Sequence, residues 1–339
     1  MKREMKIGFF EITETEKKDY FIQNLPGYEL IFIDKPLTEE SLPQILDFDI
    51  ISVFVNCQVT PKVITAFPRL RLITTRSTGF DNIDLPFAKS KNIMVANVPA
   101  YGSHTVAEYT FGLMLALSRK IYQAAYRVKV GEDFTLQGLR GFDLCSKTLG
   151  VIGTGKIGSN VVSIAQGFNM KVLAFDAFPN EELARTHNFL YTSLEELLKT
   201  ADVVTLHTPY NEQTHHLINR QNIFLMKKGS LLINTARGQV VETEALFQAL
   251  IQNHLGGAAL DVLEEEKELK DEMEVLAKNT QSAEELKTIL HNHILINLPQ
   301  VIITPHMAFY SKEAEFAILE TTEENIKSFL QGNPKNIVH

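Results

Sequence analysis

The sequence predicts an α/β protein built from two doubly wound parallel-sheet domains. Three observations carry that expectation. Short runs rich in Ile, Val and Phe alternate with stretches long enough for crossover helices. One such run passes directly into a glycine-rich turn. The chain, at 339 residues, also exceeds the usual size of one domain. In the first hundred residues the strand candidates are 6–10, 29–33, 50–55, 71–75 and 93–98. Val106, Tyr109, Thr110, Leu113, Leu117 and Ile121 then recur at helical spacing, which predicts a long helix over 103–120. A second alternation offers six strands, at 148–152, 171–175, 203–207, 231–234, 258–262 and 301–304. Between them, Ser193 with Glu196 reads as a capping box, and Thr243 precedes a helical face of Ala245, Leu246 and Leu250. The stretch 264–290 interrupts the alternation. It is rich in Glu and Lys and reads as a solvated helical excursion, or as a flap or an oligomer contact. An amphipathic helix over 312–330 follows the last strand and returns to the first unit. The smaller domain is therefore expected to be discontinuous, 1–100 plus 308–339, around a larger one at 101–307.

Composition narrows the function classes. Hydrophobic residues make up 45% and charged residues 22%, the balance of an ordinary soluble protein. A net charge of -8 argues against a nucleic-acid partner, because phosphate contacts need clustered Lys and Arg. No apolar run approaches the ~18 residues that cross a bilayer, and the first residues lack a cleavage-type signal, so a cytoplasmic protein is expected. Cys57 and Cys145 have no metal or redox spacing, and two buried, reduced thiols are the expectation.

Gly153-Thr154-Gly155-Lys156-Ile157-Gly158 is a G-x-G-x-x-G run. Such a run alone is weak, since glycine triplets arise in loops by chance. Here it follows the strand at 148–152 and opens a helix, and in that setting each glycine has a role. Gly153 makes the tight turn, Gly155 lets backbone approach a pyrophosphate, and Gly158 allows close packing of helix on strand. Asp176 ends the next strand, 18 residues after Gly158. A carboxylate there accepts hydrogen bonds from ribose hydroxyls and repels a 2′-phosphate, and Ala177-Phe178-Pro179 supplies no cation to hold one. The expected cofactor is NAD.

Three side chains could carry chemistry on a keto acid. Arg237 lies just after the strand at 231–234, where its guanidinium fork suits a carboxylate and a carbonyl oxygen. His306 follows the strand at 301–304, and a His beside a carboxylate can donate a proton near neutral pH. Glu266 lies beyond the strand at 258–262, but 40 residues separate it from His306, and spacing does not pair them. Taken singly, each reads equally well as a solvated side chain.

Across nearly its whole length the chain resembles the D-isomer specific 2-hydroxyacid dehydrogenase family. The resemblance rests on Gly79-Phe80-Asp81-Asn82-Ile83-Asp84, Thr105-Val106-Ala107-Glu108, the run 149–158, His207-Thr208-Pro209, the run 234–238, Asp261-Val262 and Thr304-Pro305-His306. It implies an NAD-binding Rossmann domain, a smaller flavodoxin-like substrate domain, and catalysis by Arg237, Glu266 and His306. Glu266 is chosen over Glu264 and Glu265 because the family's Glu stands five residues beyond the Asp of its D-V pair. The resemblance further implies that backbone N–H groups at Thr78 and Gly79 hold the substrate carboxylate. Lys156 and Ile157 would line the pyrophosphate. Thr208, Pro209 and Thr214 would line the adenine side, and Thr235, Ala236 and Asp261 the nicotinamide. His207 would belong to the cofactor site rather than act as a base. His215-His216 looks like a metal pair, but adjacent side chains point apart, so no metal is expected. The pattern His306-Met307-Ala308-Phe309-Tyr310 and Tyr101 look most like D-lactate dehydrogenases. Pyruvate is then the first-choice substrate, with Phe309, Tyr101 and Asn56 as the wall that sets side-chain size. Asn56 departs from the tyrosine those enzymes tend to carry. Glyoxylate, hydroxypyruvate or branched 2-keto acids are the alternatives within the family, and an NAD-sensing corepressor is the alternative outside enzymology. A homodimer is implied, with the 103–120 helix in its contact.

Overall fold

The structure, a computed structural model, describes residues 5–265 and 283–338. The chain divides into two compact units, Met1–Tyr101 with Ser311–His339, and Gly102–Tyr310. In the first unit, β1 (Lys6–Phe10), α1 (Thr15–Asn24) and β2 (Glu29–Ile33) precede β3 (Ile50–Val53), α2 (Pro61–Ala66) and β4 (Leu72–Thr75). Next come α3 (Leu85–Ser90) and β5 (Met94–Ala96). The second unit opens with α4 (Ser103–Ser118) and α5 (Ile121–Gly131), then β6 (Thr148–Ile152) and α6 (Lys156–Gly167). It continues with β7 (Lys171–Phe175), α7 (Glu181–Thr186), β8 (Leu190–Tyr191), α8 (Leu194–Thr200) and β9 (Val203–Leu206). Then follow β10 (Leu231–Asn234), α9 (Thr243–Ile251), β11 (Gly257–Leu260), α10 (Ala283–Asn297) and β12 (Val301–Ile303). The chain returns to the first unit as α11 (Lys312–Leu330), which packs on α1 and β4.

Both sheets are wholly parallel, ordered β2-β1-β3-β4-β5 and β12-β11-β10-β9-β6-β7-β8. Strands covered on both faces need apolar residues at every position, which is why they read as unbroken Ile, Val and Phe runs. The two-residue side-chain period then deals neighbours to opposite cores. In the first unit Phe9, Ile50 and Leu72 join Phe21 of α1 and Ile326 of α11. Their chain neighbours Phe10, Ile51 and Ile73 join Val63 of α2 and Ala88 of α3 on the other face. In the second unit Val203 and Leu231 pack toward α4 and α6, while Val204 and Leu232 pack toward α8 and α9.

Several expectations need correction. Among the described residues the second sheet has seven strands, not six: β8 contributes two residues, too short a run to show a period. The helix over 103–120 ends at Ser118, where Lys120 takes a left-handed φ of 54° and a new helix starts at Ile121. The capping box is half formed. Ser193 accepts the Glu196 N–H at 3.2 Å, but the Glu196 carboxylate accepts the Thr200 hydroxyl instead of reaching back. Thr243 does precede the buried face of Ala245, Leu246 and Leu250, as the first residue of α9, and its N–H is held by the Glu264 carboxylate at 2.8 Å. Cys145 is exposed, and only Cys57 is buried. Glu266 and most of the 264–290 excursion lie outside the described residues; its last residues belong to α10. Among the described residues, no helix is long and apolar enough to cross a membrane.

Candidate active site

The sheet order of the second unit lays the sequence-predicted residues out in a row. Along the carboxyl edge, β12 leads to His306, β11 to Asp261, and β10 to Thr235, Ala236 and Arg237. After them come β9 with His207 and Thr208, β6 with the glycine loop, and β7 with Asp176. Adjacent strands are ~4.8 Å apart, so the row is long enough for an extended ligand. The chain crosses from one side of β6 to the other between β8 and β9, and such a reversal is where open α/β sheets bind ligands.

The glycine loop has the geometry that the motif requires. Gly153 adopts φ 90°, and a Cβ there would meet the His207 backbone at 2.8 Å. A Cβ on Gly158 would lie 1.9 Å from the Gly153 carbonyl oxygen, so only glycine lets α6 start this close to β6. Gly155 faces open space, and no side chain caps α6 at that end. The first turn of α6, which begins at Lys156 and Ile157, directs its backbone N–H groups out of the helix end, the arrangement that accepts an anion.

Asp176 stands where the sequence places it, and it also braces the loop. Its Oδ2 accepts the Thr154 N–H at 2.6 Å and the Thr154 hydroxyl at 2.9 Å, and its Oδ1 accepts the Phe178 N–H at 2.9 Å. The Tyr191 hydroxyl reaches Thr154 Oγ1 at 2.7 Å. Thr154 had no sequence signal beyond its place inside the glycine motif, and Tyr191, 15 residues after Asp176, had none. Next to Gly153, His207 Nε2 meets Thr205 Oγ1 at 3.0 Å, while His207 Nδ1 and Thr208 Oγ1 are buried and have no hydrogen-bond partner among the described residues. Burial pushes the His207 imidazole down to about 3, so it is neutral at physiological pH and unsuited to hold a catalytic proton. Pro209 and Thr214 form one turn, with the Thr214 hydroxyl donating to the Pro209 carbonyl at 2.7 Å. Open glycine backbone after β6, a helix start with no side-chain cap and two orphaned polar atoms just after the neighbouring β9 fit a dinucleotide.

At the other end of the row the loops are tightly specified. Asn234 accepts the Ala236 N–H at 3.0 Å and donates to the Arg237 carbonyl at 2.9 Å, which shapes the turn presenting Arg237. The Arg237 guanidinium donates to the Ala236 carbonyl at 2.7 Å and remains half-buried. Thr235 Oγ1 meets Thr110 of α4 at 3.1 Å. Asp261 organises the loop after β12: its carboxylate accepts the Thr304 hydroxyl at 2.5 Å and the N–H groups of Met307 at 2.9 Å and Ala308 at 2.8 Å. The His306 N–H donates to the Asp261 carbonyl at 2.9 Å, and His306 sits at a left-handed φ of 54°. A non-glycine residue held there by so many bonds is a common mark of a functional position. Burial raises the Asp261 pKa, with the hydrogen bonds from Thr304, Ala308 and Met307 opposing it.

The rejected carboxylate, Glu264, is fully engaged. Its Oε1 lies 2.6 Å from His216 Nε2, and its Oε2 holds the start of α9. The His215 and His216 rings stack at 3.9 Å instead of pointing apart as expected, yet no group of three His, Cys, Asp or Glu among the described residues could hold a metal. Phe309 lies edge-on to Tyr310 at 6.0 Å in the second unit. In the first unit, Asn56 follows β3, Thr78 and Gly79 follow β4, and Tyr101 ends the segment after β5. The Thr78 hydroxyl donates to the Val98 carbonyl at 2.8 Å and the Ser77 hydroxyl to the Gly79 carbonyl at 2.6 Å. The Thr78 and Gly79 N–H groups donate to none of the described residues, as a carboxylate-binding turn requires.

Comparison with known proteins agrees with this geometry. Residues 111–308 match the family model for the NAD binding domain of D-isomer specific 2-hydroxyacid dehydrogenases. A 2-hydroxyacid dehydrogenase homolog of Zymomonas mobilis is 38% identical, covering 90% of this chain and 91% of its own. An aromatic 2-oxoacid reductase of Clostridium sporogenes is 41% identical over 79% of this chain and 78% of its own. The crystal structure of Aquifex aeolicus D-lactate dehydrogenase with NAD and lactic acid superposes with a TM-score of 0.86 at 37% identity, covering 96% of each chain. The chain belongs to the D-isomer specific 2-hydroxyacid dehydrogenase family, NAD-dependent enzymes that reduce 2-keto acids to D-2-hydroxy acids.

Proposed function

We propose that this enzyme reduces pyruvate to D-lactate, with Arg237, Glu266 and His306 as its catalytic residues. The observation that carries the assignment is the row of Arg237, Asp261 and His306 on three adjacent strands, beside the dinucleotide loop. NADH, when bound, supplies the hydride for the keto carbon. The Arg237 guanidinium binds the substrate carboxylate and polarises the keto oxygen as negative charge develops on it. The backbone N–H groups of Thr78 and Gly79 serve the carboxylate as well. The His306 imidazolium gives its proton to the forming alkoxide, and Asp261 keeps the loop that bears His306 in place. Glu266, whose role rests on the family resemblance, stabilises the imidazolium.

Pyruvate is supported by the similarity to a D-lactate dehydrogenase that binds lactic acid. The aromatic 2-oxoacid reductase among the relatives favours a second reading, in which the same chemistry acts on a larger side chain. Initial rates with NADH over pyruvate, hydroxypyruvate, glyoxylate, a branched and an aromatic 2-keto acid separate the two. Pyruvate should give the highest kcat/KM, and a tenfold preference for any other acid would replace it.

We further propose a cytoplasmic homodimer. No residue of α5 is buried, and Tyr122, Tyr126 and Val130 on it, with Phe134 and Leu136 just beyond, are mostly exposed. The apolar positions of α4, the helix expected at the contact, are instead used in the core of the unit. An apolar surface of this kind fits a second copy of the chain, pairing the same face on both protomers.

A further inference from the structure

In the first unit, β1 lies between β2 and β3, so the winding direction reverses at the carboxyl ends of β1 and β3. Glu11 is the residue that follows β1, and Asn56 lies in the loop after β3. Glu11 holds a left-handed backbone, φ 56°, which L-residues with long side chains disfavour. Its neighbours over-determine that conformation. The Glu11 N–H donates to the Lys35 carbonyl at 3.1 Å, and its carbonyl accepts from Arg76 at 2.8 Å. Arg76 is wholly buried and also donates to the Phe10 carbonyl at 2.6 Å and to the carbonyl and hydroxyl of Ser52 at 3.1 and 3.0 Å. Burial lowers its pKa to about 10, so it stays cationic and balances the Glu11 carboxylate.

That carboxylate is spent on the Asn56 loop. Its Oε2 accepts the Asn56 N–H at 3.1 Å and lies 3.7 Å from the Cys57 thiol, which burial keeps protonated. Its Oε1 accepts the Asn56 side-chain amide. With Nδ2 committed to an anion, the amide cannot turn over, since its carbonyl oxygen would then face the negative charge. Asn56 Oδ1 accepts no hydrogen bond from the described residues. A strained backbone, a buried cation and a three-donor carboxylate thus converge on one loop.

We propose that Glu11 is a specificity-determining residue. By locking Asn56 it gives the keto acid's side chain a fixed polar wall, one that admits a methyl group and disfavours branched and aromatic groups. This rests on the reading of Asn56 as a wall residue. The full-length enzyme is compared with Glu11→Ala, Glu11→Gln and Glu11→Gly, the last of which relieves the backbone strain and so guards against misfolding. The preference for pyruvate over phenylpyruvate should fall about tenfold in Glu11→Ala and Glu11→Gly, in the range typical of a changed side-chain wall. Glu11→Gln, which keeps one acceptor, should fall between, and the NADH Kd should not move. An unchanged preference, or an equal loss for every keto acid, would overturn the inference. So would a full effect of Glu11→Ala in an Asn56→Ala background, because the route through Asn56 would then be wrong. Failure of the unmodified enzyme to reduce any 2-keto acid would instead defeat the functional reading on which the inference stands.

Discussion

His207 and His306 show how one residue type takes two fates at one sheet edge. The His207 imidazole is held near 3, well below its ordinary value, by burial alone. The unfolded chain therefore binds a proton that the folded chain refuses between pH 3 and about 6.5. The stability this contributes is complete above pH 6.5 and is lost as pH falls, at up to ~1.4 kcal/mol per pH unit. His207→Gln should flatten the acid limb of a chemical-denaturation series from pH 7 to 4, and an unchanged slope would show the imidazole to be solvated. His306, half-buried at the end of the row, is the residue proposed above as the proton donor. His306→Ala should lower the keto-acid reduction rate a hundredfold or more, about 3 kcal/mol, while NADH still binds. An intact rate would remove His306 from the mechanism. Glu264→Gln separates the neighbouring carboxylates: it removes the charge and one of the two acceptors that hold His216 and Thr243, so it should lower the melting temperature and leave the pH profile of reduction in place. A shifted profile would transfer the role given to Glu266.

At the scale of elements, the glycine loop and the strand after it make the most direct demands. A Cβ at Gly158 would overlap the Gly153 carbonyl, so Gly158→Ala must push α6 off β6. The cost should be about 1–3 kcal/mol of stability with weakened NADH binding, measured by denaturation and by fluorescence titration. A variant that binds NADH normally would mean that the loop moves more freely than its contacts suggest. Asp176→Ala should weaken NADH and narrow the gap to NADPH, since the ribose acceptor and the repulsion of a 2′-phosphate vanish together. Equal use of both cofactors by the unmodified enzyme would contradict the assignment. These elements were legible because their physics is local. Six of the thirteen elements given explicit bounds, 6–10, 29–33, 148–152, 171–175, 231–234 and 312–330, have the residues expected, since apolar runs and punctuating turns coincide there. The other strands were expected one to two residues long at an end, where extended chain continues past the ladder. What was not legible depends on distant partners. Glu264 caps α9 from 21 residues away, Asp261 gathers a loop more than 40 residues on, and Glu11 reaches Asn56 across two strands. Neither α5 nor β8 announced itself, the first because no face of it is buried and the second because two residues carry no period.

For the whole molecule, assembly and chemistry are open to separate tests. Charged replacements at Phe134 and Leu136, 80% and 85% exposed, should convert a dimer to a monomer in sedimentation without unfolding either unit. A monomeric unmodified enzyme, or a dimer indifferent to both changes, would place the contact elsewhere. In the proposed chemistry the residues following three neighbouring strands hold a 2-keto acid beside NADH so that hydride reaches one face of the keto carbon only, while His306 protonates the oxygen. The direct measurement is turnover of pyruvate with NADH by the unmodified enzyme, with the product resolved by chirality. The account predicts D-lactate formed mole for mole with NADH oxidised. L-lactate, a racemic product, or no oxidation of NADH by any 2-keto acid would contradict it.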